Sequence, residues 1–126
     1  NAFKSEQNVV FDINVPRFSF DLDTIIPLGL LINEIITNSV KHGVKAGGAL
    51  QISVDLTVDK GRASLRVADD GTGITSRVKS FGKASLGMEL IDLFCDQLSA
   101  RCEMIADQNG VVYEIDFDVK NQNYGS

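Results

Sequence analysis

Between Ile25 and Val40 the apolar residues Ile25, Leu28, Leu31, Ile32, Ile35, Ile36 and Val40 recur at the 3.6-residue period of a helix with one face on a core. A stripe this long is stable only when packed, so the rest of the chain has to supply an apolar surface to receive it. Asp23 or Thr24 is placed to cap the helix, Pro27 suits its first turn, and Gly43 with Gly47 and Gly48 closes it.

The receiving surface is written at a different period. Val9, Phe11, Ile13 and Val15 alternate with polar Asn8, Asp12 and Asn14, as a half-buried strand does, and Pro16 ends that run. Residues 50–58 and 62–67 predict two more strands joined through Asp59-Lys60-Gly61, and residues 102–106 and 111–119 form a last hairpin across Gln108-Asn109-Gly110. A second amphipathic helix carries Leu86, Leu90, Ile91, Leu93, Phe94 and Leu98, with Ser85 in position to cap it. Helices set between antiparallel hairpins indicate the α+β class: a two-layer α/β sandwich with a mixed, mostly antiparallel sheet and the helices on one face. Residues 1–120 are expected to form one domain and 121–126 a polar tail.

Composition narrows the function. At 44% apolar residues the chain is too hydrophobic for a disordered one, and it should fold. A net charge of -5 argues against binding to nucleic acid or to anionic membranes. No apolar run approaches the ~20 residues of a membrane span, no signal-peptide layout is present, and a chain beginning at Asn1 is expected to be a piece of something longer. Cys95 and Cys102, the two cysteines, lie on different predicted elements without a CxxC spacing, and both are expected to be reduced packing residues. One histidine, His42, excludes a multi-histidine metal site and disfavours a Ser-His-Asp triad.

Three features carry chemistry. Glu34, Asn38, Lys41 and Lys45 stack on one helix face, opposite the apolar stripe. A solvated helix surface explains such a face as well as a binding role does, except that Asn is a mediocre helix former. Asp69-Asp70-Gly71-Thr72-Gly73 closes a predicted strand with glycines that permit close ligand approach, although a plain turn has the same composition. Gly87 enters the second helix, whose free N–H groups and positive dipole end suit a phosphate. Between the last two lies a long glycine-bearing segment, 69–85, expected to be a mobile lid. Gly71 and Gly73 lack the third glycine of a dinucleotide fingerprint, and Gly82-Lys83-Ala84 is not a P-loop.

The order of these features, Asn33-Glu34-x-x-x-Asn38-x-x-Lys41-His42, a hairpin, Asp69-x-Gly71-x-Gly73, a lid and Leu86-Gly87, resembles the ATP-binding domain of sensor histidine kinases. That domain belongs to a superfamily including gyrase, Hsp90 and MutL. The resemblance runs from about Val9 to Val119 and implies the Bergerat ATP-binding fold; Pro27-Leu28-Gly29-Leu30 and Asn33-Glu34 resemble a subfamily found in light-sensing and stress-response kinases. It implies that Asp69 accepts a hydrogen bond from the adenine amino group, that Gly71 and Gly73 lie against the base, and that Asn38 is the Mg²⁺ ligand. It further implies that Lys41 faces the phosphates, that His42 adjoins the nucleotide, that Glu34 orients or deprotonates the nucleophile, and that the Gly87 N–H approaches the phosphates.

In the family's second glycine box, Gly-x-Gly-Leu-Gly, this chain reads Lys83-Ala84-Ser85-Leu86-Gly87 and keeps only the last glycine, so Ser85 and Lys83 are candidate donors in its place. Phe81 reads as a hydrophobic anchor in the lid. The implied function is transfer of the γ-phosphoryl group of ATP, with Mg²⁺, to a histidine on a separate dimerisation and phosphoacceptor hairpin, upstream of a response regulator in two-component signalling in the cytoplasm. Alternatives are an anti-sigma-factor-like serine kinase, a water-using ATPase of the gyrase or Hsp90 type, and a catalytically silent nucleotide-binding module.

Overall fold

The computed structural model describes residues 8–42, 49–71 and 86–119. In chain order these form strand β1 (Asn8–Asn14), helix α1 (Leu22–His42), strands β2 (Ala49–Asp59) and β3 (Arg62–Asp69), helix α2 (Leu86–Leu98), and strands β4 (Arg101–Asp107) and β5 (Gly110–Asp118). The strands make one sheet in the order β1-β2-β3-β5-β4. β1 runs parallel to β2 and every other pairing is antiparallel, so the sheet is mixed as expected.

Alternation decides which face of the sheet is covered. Leu50, Ile52, Val54 and Leu56 of β2, Ala63, Leu65 and Val67 of β3, and Val111, Tyr113, Ile115 and Phe117 of β5 are buried with Leu28, Leu31 and Ile35 of α1 and Ile91, Cys95 and Leu98 of α2. The opposite face is polar: Ser64 donates to Asp116 at 2.8 Å, and the Arg66–Glu114 pair lies at 3.8 Å. Lys60 and Gly61 both have positive φ, 51° and 79°, the two-residue turn whose twist suits a hairpin.

Four local expectations are corrected. The cap of α1 is Asp21, whose Oδ1 accepts from the Thr24 N–H at 3.1 Å, so the helix starts earlier and Pro27 falls in its second turn, not its first. β1 is not half-buried: Phe11, Ile13 and Val15 are exposed, and of this run on an edge strand only Val9 packs partly against the core. Ile25 and Val40 of the α1 stripe and Leu93 of α2 are likewise exposed. The cysteines are not reduced. Cys95 and Cys102 are joined in a disulfide, because the tight reversal after α2 brings the last turns of the helix beside the start of β4. Gly43, Lys45, Gly47 and Gly48, the 72–85 lid with Gly73, Phe81, Lys83 and Ser85, and the 121–126 tail lie outside the described residues.

Candidate functional site

Asn38 sits in the fifth turn of α1 and is only 7% exposed, although a Leu would fill such a place without desolvation cost. Its face is therefore not opposite the packed side of the helix, as the periodicity suggests. α2 crosses there, and its first turn rests on Asn38. The amide Nδ2 reaches the Met88 sulfur at 3.9 Å, which orients Oδ1 toward Gly87. A Cβ added at Gly87 would lie 3.1 Å from Asn38 Oδ1 and 3.7 Å from Glu34 Oε1. Three residues separated by up to 53 positions, Glu34, Asn38 and Gly87, thus meet where α1 faces the start of α2. Lys41 is exposed one turn further along α1, and Ser39, beside Asn38, is fully buried. His42 ends α1 and Leu86 begins α2; their side chains are outside the described residues.

The second part of the site lies at the end of β3. Asp69 is the last residue of the strand, 7% exposed, and its Oδ1 accepts the Gly71 N–H at 3.0 Å, so the carboxylate is fixed by the turn that follows it. The next residue braces the turn against β2: Asp70 Oδ1 accepts from the Gln51 N–H at 2.8 Å, and the Asp70 N–H donates to the Gln51 carbonyl at 3.2 Å. Gly71 is buried against this frame.

Sequence reasoning missed what supports these residues. Gly110 reads as half of an Asn-Gly turn, yet its larger role is contact: at φ +135° it lies against Asp69, and a Cβ there would collide with the Asp69 carbonyl. Met88 and Ser39 carried no signal of their own; the only hint of Met88 was its place directly after Gly87.

The residues fit Mg²⁺ chemistry. Among the described residues no group of three or more His, Cys, Asp or Glu could hold a metal. Mg²⁺ keeps several waters and takes other oxygens from substrate phosphates, so one buried amide oxygen with Glu34 near it is an adequate protein contribution. Gly87 keeps open the space in front of that oxygen, and the start of a 13-residue helix supplies N–H donors for an anion.

The family model described as "Histidine kinase-, DNA gyrase B-, and HSP90-like ATPase" matches residues 23–119. Serine-protein kinase RsbW of Listeria monocytogenes serotype 4a is 32% identical over 73 residues, 56% of this chain and 46% of its own length. Blue-light-activated histidine kinase 2 of Erythrobacter litoralis is 25% identical over 114 residues, 87% of this chain and 33% of its own. The chain thus spans less than half the length of these curated relatives. Among solved structures, the histidine kinase domain of a blue-light-activated histidine kinase from Erythrobacter litoralis superposes with a TM-score of 0.78 at 20% identity, over 88% of this chain and 52% of that one. The Acinetobacter baumannii histidine kinase AdeS gives 0.66 at 17% identity, over 90% and 56%. The match to the family model takes in both helices, the β3 end with Asp69 and the closing hairpin, and the chain belongs to the histidine kinase-, DNA gyrase B- and HSP90-like ATPase family.

Proposed function

We propose that the domain binds Mg-ATP between α1 and the end of β3 and passes its γ-phosphoryl group to a histidine on a separate helical hairpin, as the catalytic part of a two-component kinase working in the cytoplasm. The observation that carries this reading is the meeting of Glu34, Asn38 and Gly87: a carboxylate, a buried amide oxygen and a residue without a side chain, brought together between α1 and the start of α2. Asp69, held by Gly71, accepts from the adenine amino group and so prefers adenine, since guanine presents a carbonyl there. Asn38 Oδ1 would hold the metal, which would supply neutralisation of phosphate charge when bound. Lys41 and the N–H groups at the start of α2 receive phosphate oxygens. Glu34 orients the incoming imidazole and takes its proton.

A serine as acceptor is the second reading, favoured by the higher identity to serine-protein kinase RsbW. The two are separated by incubating the chain with Mg-ATP and either the parent protein's hairpin or a candidate partner, then treating the product with acid. Phosphohistidine is lost in acid and phosphoserine survives. Asn38→Ala should weaken Mg-ATP at least about tenfold, a cost of about 1.4 kcal/mol, and calorimetry showing no such loss would remove Asn38 from the metal. Glu34→Ala should keep binding and slow transfer by about a hundredfold or more.

A further inference from the structure

We propose that the Cys95–Cys102 pair is a thiol-exchange site through which a small thiol or dithiol reductant sets how tightly the nucleotide site closes. The two sulfurs are unlike in access: Cys95, in the last turns of α2, is 5% exposed within the core, whereas Cys102, on the sheet-edge strand β4, is exposed. Of the two, Cys102 is therefore the residue that an external thiolate would attack. The sulfur–sulfur bond breaks, Cys95 leaves as a thiolate that takes up a proton, and a mixed disulfide forms at Cys102. A second thiol attacks that mixed disulfide and releases the Cys102 thiol. The protein gains two electrons and two protons, and two external thiols become one disulfide.

The coupling runs along α2. Its first turn holds Gly87 against Asn38 and Glu34, and Cys95 lies eight residues further on, about 12 Å along a rigid helix at about 1.5 Å per residue. The far end is incompletely backed: a cavity of about 250 Å³ lies beside it, lined by Thr24, Leu98, Ser99 and Phe117 among others. The disulfide ties that end to the sheet edge in addition to the two-residue peptide link through Ser99 and Ala100, and cutting it lets α2 shift at its far end and loosen the fit of Gly87 on Asn38. Disulfides in cytosolic proteins are usually transient or redox-sensing, so this inference rests on the cytoplasmic nucleotide-binding reading above.

The test uses the purified chain. Thiol counting is expected to find none in air-oxidised protein, two after dithiothreitol, and none again after oxidised glutathione, from the two cysteines of the sequence. Titration with Mg-ATP should be weaker by about fivefold or more in the reduced state. Cys102→Ser, a change at an exposed edge position, should bind as the reduced protein does and ignore dithiothreitol. Two thiols in every state, or equal affinity in the oxidised and reduced states, overturns the proposal and leaves the nucleotide reading standing. Binding in neither state overturns the nucleotide reading and the coupling with it.

Discussion

Asp69 shows how much a single hydrogen bond can determine. Its Oδ1 already serves the Gly71 N–H, so in Asp69→Asn the amide must keep its carbonyl oxygen toward Gly71 to avoid setting donor against donor. The NH₂ group then meets the purine, where adenine also presents an amine. ATP affinity should fall by about tenfold to a hundredfold, the worth of a hydrogen bond to a charged group, and GTP, with its carbonyl at that position, should gain relative to ATP. Competition binding of the two nucleotides checks this, and an unchanged ATP preference would remove Asp69 from the purine. Gly87→Ala places a methyl 3.1 Å from Asn38 Oδ1, tighter than ordinary contact, so it should weaken Mg-ATP while the fold stays intact by circular dichroism. That Glu34 and Asn38 share one helix and that Asp69 ends a strand was legible in the sequence, because each placement is local to its element. Gly110 and Met88 were not, because their roles exist only after β5 has paired with β3 and α2 has crossed α1.

At the scale of elements, the periodicities gave the five strands and two helices of the described residues nearly to the residue, and the misses fall at their ends and edges. The start of α1 was misplaced because Asp21, Asp23 and Thr24 are all good caps, and only the backbone geometry chooses Asp21. Burial of β1 was overstated because alternation reports which residues share a face, not whether another layer covers it. The disulfide was missed because the end of α2 closes more tightly than its sequence advertises. The Ala100 N–H donates to the Cys95 carbonyl at 2.9 Å and the Ser99 N–H to that of Asp96 at 3.0 Å, a Schellman closure with Ser99 at φ 53° where glycine is usual. Left-handed backbone costs a residue with a Cβ about 1–2 kcal/mol, of which glycine's extra freedom in the unfolded chain would return about 0.5–1 kcal/mol. Ser99→Gly should therefore be neutral to stabilising by up to about 1.5 kcal/mol. Denaturant unfolding of both chains under the same redox conditions checks the sign.

The whole molecule offers one imidazole, and it stands at the end of α1, one residue beyond Lys41 and one turn beyond Asn38. The proposed transfer needs its acceptor in line with the γ-phosphate and opposite the leaving oxygen, and His42 belongs to the helix to which the nucleotide itself is assigned. On the function proposed above, phosphoryl transfer would belong to an arrangement of two bodies, this domain and an acceptor presented from outside. Incubated alone with Mg-ATP, the chain is expected to bind nucleotide and to gain no acid-labile phosphate. Supplied with the parent protein's phosphoacceptor hairpin, it should label that hairpin, and His42→Gln should still do so while shifting nucleotide affinity by no more than about tenfold, the scale of one lost hydrogen bond. Label on the isolated chain that disappears in His42→Gln would place the acceptor inside the domain and overturn the two-body arrangement. Label on neither partner, with Mg-ATP binding intact, would instead favour the serine substrate or a module that binds nucleotide without transferring phosphate.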